Sequence, residues 1–319
     1  MSTDFLTTIS RCITEADSNG LLLESREVSG FSGSKLVGLL QRLAGMRNAS
    51  TECYLEVGVF QGLTLISTAN AARNLPVFGV DNFAQFDPAK KNLEIVRKRT
   101  IANDLSNVTL INNDYEDALE SLHAHIAERK IGVYFVDGPH DYRSQYMCLA
   151  LAKPYLSDDV VIVVDDANYR HVRQANRDFL VTHPEYKLIF EAYTPSHPSN
   201  MDKNGEDAAR TGWWNGVNVI VRDSENILEP AYPETVRSRQ LYENEHIVHA
   251  LKYANCAPEA TVMVAAFADF KPRMALRHFS KVIQKVRAAK AGEKADYQFM
   301  NTWSSQLPTY RLHPQLRQP

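Results

Sequence analysis

The chain has 319 residues, of which 44% are hydrophobic and 23% charged, and its formal net charge is -3 at pH 7. This composition is typical of a globular protein, and the length suits one large domain with additions or two domains. The small negative charge gives no electrostatic reason to expect nucleic acid as a main partner. The four cysteines stand far apart without a Cys-x-x-Cys pair, so neither a zinc site nor a disulfide framework is expected.

The N-terminal region predicts neither a leader nor an anchor. The first 20 residues contain three acids and no long apolar stretch, which argues against a signal peptide. No segment is long and apolar enough to predict a membrane span, so a cytoplasmic protein is expected. Residues 1–50 are predicted to be mostly helical, because leucines recur at helical spacing within Ser34–Met46.

Strands and helices alternate from about residue 51 to residue 222. The predicted strands are residues 53–57, 76–81, 107–111, 131–136, 159–165, 186–193 and 216–222. The predicted helices between them are residues 62–73, 88–104, 115–128, 140–155 and 168–181. Such alternation predicts an α/β protein with a doubly wound, mostly parallel sheet. Only a polar stretch, Thr194–Gly212, separates the last two strands, so we expect a mobile loop there and an antiparallel strand pair.

Acidic residues follow two strongly apolar strands near the middle of the chain. The first strand ends in Asp137-Gly-Pro-His140, and the second ends in Asp165-Asp166. Ligands of open α/β sheets bind outside the carboxyl ends of the strands, so these side chains are expected at one site. Three carboxylates brought together repel one another unless a hard cation lies between them. The sequence therefore predicts a divalent-metal site.

An earlier strand end has the pattern of a nucleoside-binding turn. Glu56 lies in the strand, and Gly58 and Gly62 follow it, allowing a tight turn and close approach of the backbone to a ligand. The helix that begins near Gly62 offers free amide groups to an anion. One unit later Asp81 ends the second strand, where an acid typically binds ribose hydroxyls. The third strand is likewise closed by an acid, Asp114.

In this order, the motifs resemble the class I methyltransferases that use S-adenosylmethionine. More narrowly, they are similar to the metal-dependent O-methyltransferases of macrolide and aminocoumarin sugars and to the cephalosporin-hydroxylase-like proteins. The resemblance covers about residues 50–222 and implies a Rossmann-like, seven-stranded, mostly parallel sheet with an antiparallel last strand. We therefore expect a methyltransferase domain at 51–222, with helical extensions at 1–50 and 223–319.

The resemblance also implies a role for each motif residue. The implied cofactor-binding residues are Glu56, Gly58, Gly62, Thr64, Asp81, Asp114 and Tyr115. The implied ligands of Mg²⁺ or a similar divalent cation are Asp137, Asp165 and Asp166. His140 matches the position of a general base, and Asp137 is the second expected catalytic residue.

The implied reaction is methyl transfer from S-adenosylmethionine to a hydroxyl of a small-molecule acceptor, a saccharide or glycosylated natural product. A sugar hydroxyl is a poor nucleophile near neutral pH, and a bound dication lowers the pKa of a coordinated hydroxyl. A base then removes the proton. The alternatives are a cofactor-binding relative with other chemistry and a non-catalytic scaffold that keeps the fold. The acceptor's identity and the oligomeric state, including a homo-oligomer, stay open.

Several of these residues also have plainer interpretations. The Glu-x-Gly-x-x-x-Gly pattern by itself suits a tight turn or a dinucleotide site, although Val59-Phe60 stand where a second glycine is expected. Asp81 and Asp114 suit helix caps, and so do the acids at the predicted metal site. His140 could simply satisfy a loop.

Two further features are open in the same way. The pair Trp213-Trp214 suits either a substrate pocket or core packing. Within Arg273–Lys290, an apolar stripe accompanies several basic residues, which predicts a helix packed on the domain with its charges in water. A lipid or acidic partner is the less favoured interpretation of that helix.

Overall fold

The computed structural model describes residues 2–84, 87–237, 253, 256–291 and 307–317. The strands are β1 (Glu52–Val57), β2 (Val77–Val80), β3 (Val108–Ile111), β4 (Lys130–Val136), β5 (Leu156–Val164), β6 (Tyr186–Ala192), β7 (Val217–Arg222) and β8 (Arg311–Leu312). The helices before β4 are α1 (Thr3–Asn19), α2 (Ser34–Gly45), α3 (Leu63–Ala71), α4 (Asn92–Ala102), α5 (Tyr115–Glu120) and α6 (His123–Ile126). The later helices are α7 (Tyr142–Ala152), α8 (Arg170–Thr182), α9 (Lys203–Thr211), α10 (Ala257–Ala268) and α11 (Pro272–Ala291).

The strands form one mixed sheet in the order β3-β2-β1-β4-β5-β7-β6-β8. The first five are parallel to one another, and β7 enters antiparallel between β5 and β6. The predicted doubly wound α/β fold and its antiparallel last pair are therefore confirmed.

The sheet has an eighth strand that the sequence does not predict. The two residues of β8 pair with Phe190 and Glu191 of β6. They lie in the extension expected to be helical at 223–319, and two residues are too few to show an alternating pattern. Pairing at this edge depends on where the tail returns to the sheet, which is a long-range property.

Helices cover both faces of the sheet, which explains the nearly continuous apolar runs of its strands. Tyr54 and Phe135 point into one core cluster, which is shared with α1, α2 and α3. Leu55 and Tyr134 point into the other, which is shared with α5, α6, α7 and α8. The N-terminal helices therefore complete one layer of the core. The division of the chain at residues 50 and 222 stays a prediction.

The segment Thr194–Gly212 is more ordered than a loop, so that part of the prediction was wrong. It contains a 3₁₀ turn, Pro198–Asn200, and then helix α9. Asp202 caps α9 by accepting a hydrogen bond from the Gly205 amide at 2.8 Å. The helix has only two alanines among charged and polar residues, and only Ala209 is buried, so no row of large apolar side chains marks it in the sequence.

Other helices agree with the sequence in place but differ in extent. The helix predicted at 88–104 begins at Asn92, and the one predicted at 115–128 is two short helices, α5 and α6. A helix is confirmed at the predicted basic segment as α11, but it packs on α10 and contributes no described residue to the domain's core clusters, so the expected packing on the domain was wrong. The helical prediction for 223–319 falls partly outside the described residues. No helix among the described ranges is long and apolar enough to cross a membrane.

Candidate functional site

Strand register places the predicted acids side by side. Val136 of β4 lies opposite Val57 of β1 and opposite Val164 of β5. Each next residue continues the ladder: the Asp137 amide donates to the Val57 carbonyl at 2.9 Å, and the Asp165 amide donates to the Val136 carbonyl at 3.0 Å. The site therefore lies at the carboxyl edge of the sheet, where the strand order changes direction between β1 and β4.

The turn after β1 can be made only by glycine. Gly58 has a φ of 92°, and a Cβ there would lie 1.8 Å from the carbonyl oxygen of Asp137. Gly62, which precedes α3, has a φ of 83°. A side chain at position 58 would therefore be strained in backbone conformation and would collide with the neighbouring strand end.

A cavity of about 300 Å³ opens at this edge. Eight of the predicted site residues line it, namely Gly58, Thr64, Asp81, Asp114, Tyr115, Asp137, His140 and Asp166. Glu56, Gly62 and Asp165 are not part of its lining. The sequence thus locates the cavity, whereas the structure divides the predicted residues into those that face it and those that support it.

The Asp81 carboxylate holds the turn after β1 by accepting backbone hydrogen bonds. One oxygen accepts from the amides of Val59 and Phe60 at 2.8 and 2.7 Å. The other accepts from the Phe83 amide at 2.6 Å. Phe60 and Phe83 both have positive φ, so the carboxylate stabilises a backbone shape that non-glycine residues rarely adopt. The first oxygen already accepts two bonds, but Oδ1 accepts only one and keeps a second lone pair, so Asp81 can still accept one hydrogen bond from a ligand.

Glu56 is fully buried beneath the turn. Its two oxygens accept from the hydroxyl groups of Tyr54 and Thr64, each at 2.7 Å. Burial raises the pKa of Glu56 to about 8, although both hydrogen bonds act in the opposite direction. Thr64 connects the buried Glu56 to the cavity, because Thr64 also lines the cavity wall.

Asp114 and Tyr115 lie at the cavity's far wall. Asp114 caps α5, since its carboxylate accepts from the Glu116 amide at 2.9 Å. The Tyr115 hydroxyl donates to the Glu116 carboxylate at 2.9 Å. Asp114 therefore fits the capping interpretation while still lining the cavity, and a role in binding stays a prediction.

Three side chains at the opposite wall could share one metal ion. Asp137, His140 and Asp166 each offer a ligand atom, and these atoms lie within 4.8 Å of one another. Burial raises the pKa of Asp137 well above its usual range, and repulsion from the neighbouring carboxylates adds to this. Asp166 accepts from Asn215 at 2.6 Å and contacts the His140 Nε2 at 2.8 Å. Oxygen and imidazole ligands suit a hard or borderline divalent cation.

Asp165 is held differently from the other two acids. One of its oxygens accepts from the Asp166 amide at 2.7 Å, and the other is buried without a hydrogen-bond partner. Burial and the charge of Asp166 raise the pKa of Asp165 well above its usual range. It does not belong to the three-residue cluster, so its role as a metal ligand stays a prediction.

The protonation of His140 is set by two opposing effects. Burial lowers the pKa of the imidazole, but the carboxylate of Asp166 outweighs burial, and the net pKa is raised. The expectation that a dication lowers this pKa concerns the metal-bound protein and stays a prediction. In the same pair, burial raises the pKa of Asp166, and His140 more than reverses this.

The cavity also contains residues that sequence reasoning missed. Ser32 and Asn92 line it, and the Ser32 Oγ and the Asn92 Nδ2 are buried without a hydrogen-bond partner. Phe31 stacks on Phe60 and Trp214, with ring centroids 5.3 and 6.3 Å apart. Ser32 and Phe31 precede α2, far from the predicted motifs, and no local signal marks them.

A row of rings lies beside the metal-ligand cluster. His140 stacks on Tyr169 with centroids 5.1 Å apart, and Tyr169 lies 6.0 Å from His197. His197 lies in the segment between β6 and β7 that was singled out for its polarity. The two tryptophans divide between the two interpretations: Trp213 packs in the core on Phe190, and Trp214 lines the cavity.

With the site's geometry in place, comparison with known proteins identifies the domain. The family profile described as "Methyltransferase domain" matches residues 55–167, which span β1 to the end of β5 and the acids that follow it. The chain carries a methyltransferase domain. The predicted enzyme class is thereby confirmed. The matched segment, residues 55–167, contains every predicted site residue. No curated protein sequence matches the chain.

Solved structures with a similar arrangement include several O-methyltransferases. An O-methyltransferase from Bacillus cereus in complex with SAH is 15% identical, with 70% of this chain and 92% of that one covered and a TM-score of 0.45. The O-methyltransferase TomG from Streptomyces achromogenes, involved in tomaymycin synthesis and in complex with SAM, is 17% identical. The coverage is 70% of this chain and 91% of that one, with a TM-score of 0.44.

Proposed function

We propose that the chain transfers a methyl group from S-adenosylmethionine to a hydroxyl of a small molecule, with a divalent cation at Asp137 and Asp166 and with His140 as the base. The observation that carries this proposal is that these three residues share one cavity with Gly58 and Asp81. A cofactor turn and a cation-binding cluster in one cavity support transfer to an oxygen held by the cation.

The cavity's polar atoms fit a nucleoside cofactor. The unpartnered Ser32 Oγ and Asn92 Nδ2 are buried groups that gain a partner when a polar ligand binds. Asp81 would accept from a ribose hydroxyl through the remaining lone pair of its Oδ1. Gly58 would let the backbone approach the ligand, and Tyr115 offers a half-buried ring at the far wall. The solved relatives' complexes with SAM and SAH favour S-adenosylmethionine as that ligand.

The acids fit a cation for an electrostatic reason. Burial and mutual repulsion raise the pKa of Asp137 and Asp165, so a positive charge between them would stabilise both carboxylates. Asp165 also has a buried oxygen without a hydrogen-bond partner, which a nearby cation would stabilise. Asp137 and Asp166 would hold the ion, and Asp165 would support them from the preceding position on the chain.

The chain's own residues then divide the chemistry among them. A bound divalent cation would lower the pKa of the acceptor hydroxyl that it holds. Asp166 orients the His140 imidazole through the 2.8 Å contact at Nε2. In its neutral form that imidazole takes the acceptor's proton. The walls of the cavity hold acceptor and cofactor in line, which is the main protein contribution when the methyl donor is already a strong electrophile.

A ring-shaped acceptor, such as a saccharide or a glycosylated natural product, suits the wall of the cavity beside His140. Tyr169 stacks on His140, His197 lies tilted beyond it, and all three rings line the cavity. The segment containing His197 ends in α9, whose capped helix makes it a structured cover rather than a free loop. We propose that it closes over the acceptor.

Calorimetry on the full chain tests the cofactor. The demethylated product, S-adenosylhomocysteine, should bind, and NAD should bind more weakly or not at all. Asp81→Asn should weaken the product's binding about tenfold, because one lost hydrogen bond to a charged group has this order of effect. Asp117→Asn, an exposed acid on α5, is the matched control and should bind as the wild type does. Tighter binding of NAD would reject the proposal.

Manganese binding, followed by electron paramagnetic resonance, tests the metal without an acceptor. The wild type should bind one Mn²⁺, and Mg²⁺ should displace it. Binding should disappear in Asp166→Asn, because a neutral amide is a poorer ligand than a carboxylate. Retention of wild-type affinity in that variant would place the cation elsewhere.

A further inference from the structure

Helices α10 and α11 form a hairpin that stands outside the core of the domain. The two helices pack against each other, and Ala266 and Ala275 are fully buried. No residue of either helix belongs to the hydrophobic clusters found among the described residues. The hairpin's remaining surface therefore needs a different explanation from packing on the sheet.

The hairpin exposes an unusual concentration of large apolar side chains. Seven of them lie between residues 262 and 279, namely Val262, Val264, Phe267, Phe270, Met274, Leu276 and Phe279. Phe270, in the turn between the helices, is 92% exposed, and Leu276 is 63% exposed. Leu276 and Phe279 are three residues apart on α11, so they lie on the same face of the helix. Exposed apolar surface of this kind marks a site of association.

The same hairpin is strongly basic. Residues 256–291 contain seven lysines and arginines and two acids, a net charge of +5 in a chain whose total is -3. Helix α11 has six of these bases and no acid. Both acids are already engaged: Glu259 pairs with His278, and Asp269 pairs with Lys271. The excess positive charge therefore remains available to a negatively charged partner.

We propose that this hairpin docks on the surface of an anionic lipid bilayer. A basic helix with exposed leucine and phenylalanine has the chemistry of interfacial helices, whose apolar side chains enter the headgroup boundary. Lysine and arginine add attraction to anionic headgroups. Phe270 lies in the turn at the end of the hairpin and is almost fully exposed, so it can enter the headgroup boundary without displacing other side chains. Because α10 and α11 do not span a membrane, the hairpin lies on the surface.

Charge argues against the main competing occupant, a second copy of the chain. Two copies that met through this face would bring two hairpins of net charge +5 together. Like charges at close range oppose association, and no unengaged acid of either hairpin relieves this. An anionic lipid surface, in contrast, attracts each of these positive charges.

Vesicle flotation with the full chain tests the proposal. The protein should float with vesicles of phosphatidylcholine containing about one-third phosphatidylserine, and not with phosphatidylcholine alone, and high salt should release it. The double variant Phe270→Ser and Leu276→Ser should lower the bound fraction at least tenfold, since both side chains are exposed and contribute little to the core. The control is Ile101→Ser on α4, which is 75% exposed and should bind as the wild type does.

A second pair of variants tests the electrostatic part. Arg273→Gln with Arg277→Gln should weaken binding to anionic vesicles and reduce its salt dependence. Arg97→Gln with Lys98→Gln, two exposed bases on α4, should change neither. All variants should keep the wild-type thermal unfolding midpoint. Equal binding to neutral vesicles would overturn the proposal. So would a concentration-dependent dimer that the Phe270 and Leu276 variant abolishes, or binding to polyglutamate without binding to vesicles.

Discussion

Two groups of acids lie at the same edge of the sheet, and they are satisfied in opposite ways. Glu56 and Asp81, at the ends of β1 and β2, accept five hydrogen bonds from the chain itself. At the ends of β4 and β5, Asp165 has an oxygen without a partner, and burial and repulsion raise the pKa of Asp137. The first group supports the turn after β1, and the second lacks positive charge.

This difference separates acids that the chain itself supplies with hydrogen bonds from acids that it leaves short of partners. Amide donors around Asp81 are fixed by the turn, so its charge is compensated before any ligand binds. At Asp166 the cationic neighbours are two histidines, His140 and His197, whose charge depends on their protonation. Buried carboxylates left in this state cost stability, which is typical of functional sites.

The largest expected effect is on turnover, at the second group of acids. Asp137→Asn should reduce methyl transfer below detection, because the neutral amide removes a cation ligand. Binding of S-adenosylhomocysteine should stay within about threefold, and the metal-free protein should lose no stability, since a repelling charge is removed. Activity assays, calorimetry and thermal unfolding measure the three quantities. A large loss of stability would instead place Asp137 with the structural acids.

A smaller loss is expected at the histidine between the two carboxylates. His140→Ala should lower kcat about 10²–10⁴-fold, the usual effect of losing a general base. Calorimetry should show unchanged binding of S-adenosylhomocysteine, and Mn²⁺ should still bind through the two carboxylates. If kcat is retained and the acceptor's KM rises instead, His140 positions the acceptor and another group takes the proton.

The smallest effect is expected in the first group of acids, at Glu56, where the free energy of unfolding should depend on pH. Glu56 has a raised pKa of about 8 when folded, against about 4.3 when unfolded, so its proton stabilises the fold at low pH. That stability is lost as the pH rises from about 4 to 8, and it changes little above 8. Glu56→Gln carries no such charge.

Denaturant unfolding at pH 5, 7 and 9 measures this difference. Relative to Glu56→Gln, the wild type should lose stability from pH 5 to pH 9, by at most about 1.4 kcal/mol per pH unit. A constant difference between the two proteins across this range would show that Glu56 is ionised in the fold, as a satisfied surface acid is.

The sequence by itself determined the strand ends and what stands on them. Apolar runs that stop at an acid mark buried parallel strands, and the order of those acids and glycines located the cavity and the methyltransferase domain. These are local signals, since each lies within a few residues of its strand, and the sheet's regular register then brings them to one edge.

Only the tertiary structure decided which side chains meet there. It brought His140, rather than Asp165, together with Asp137 and Asp166, because side-chain direction after a strand depends on the turn that follows. It placed Ser32 at the cavity through the layer formed by α1 and α2, and it added β8 from the end of the chain. Each of these contacts joins residues far apart in sequence, so no local pattern of residues encodes it.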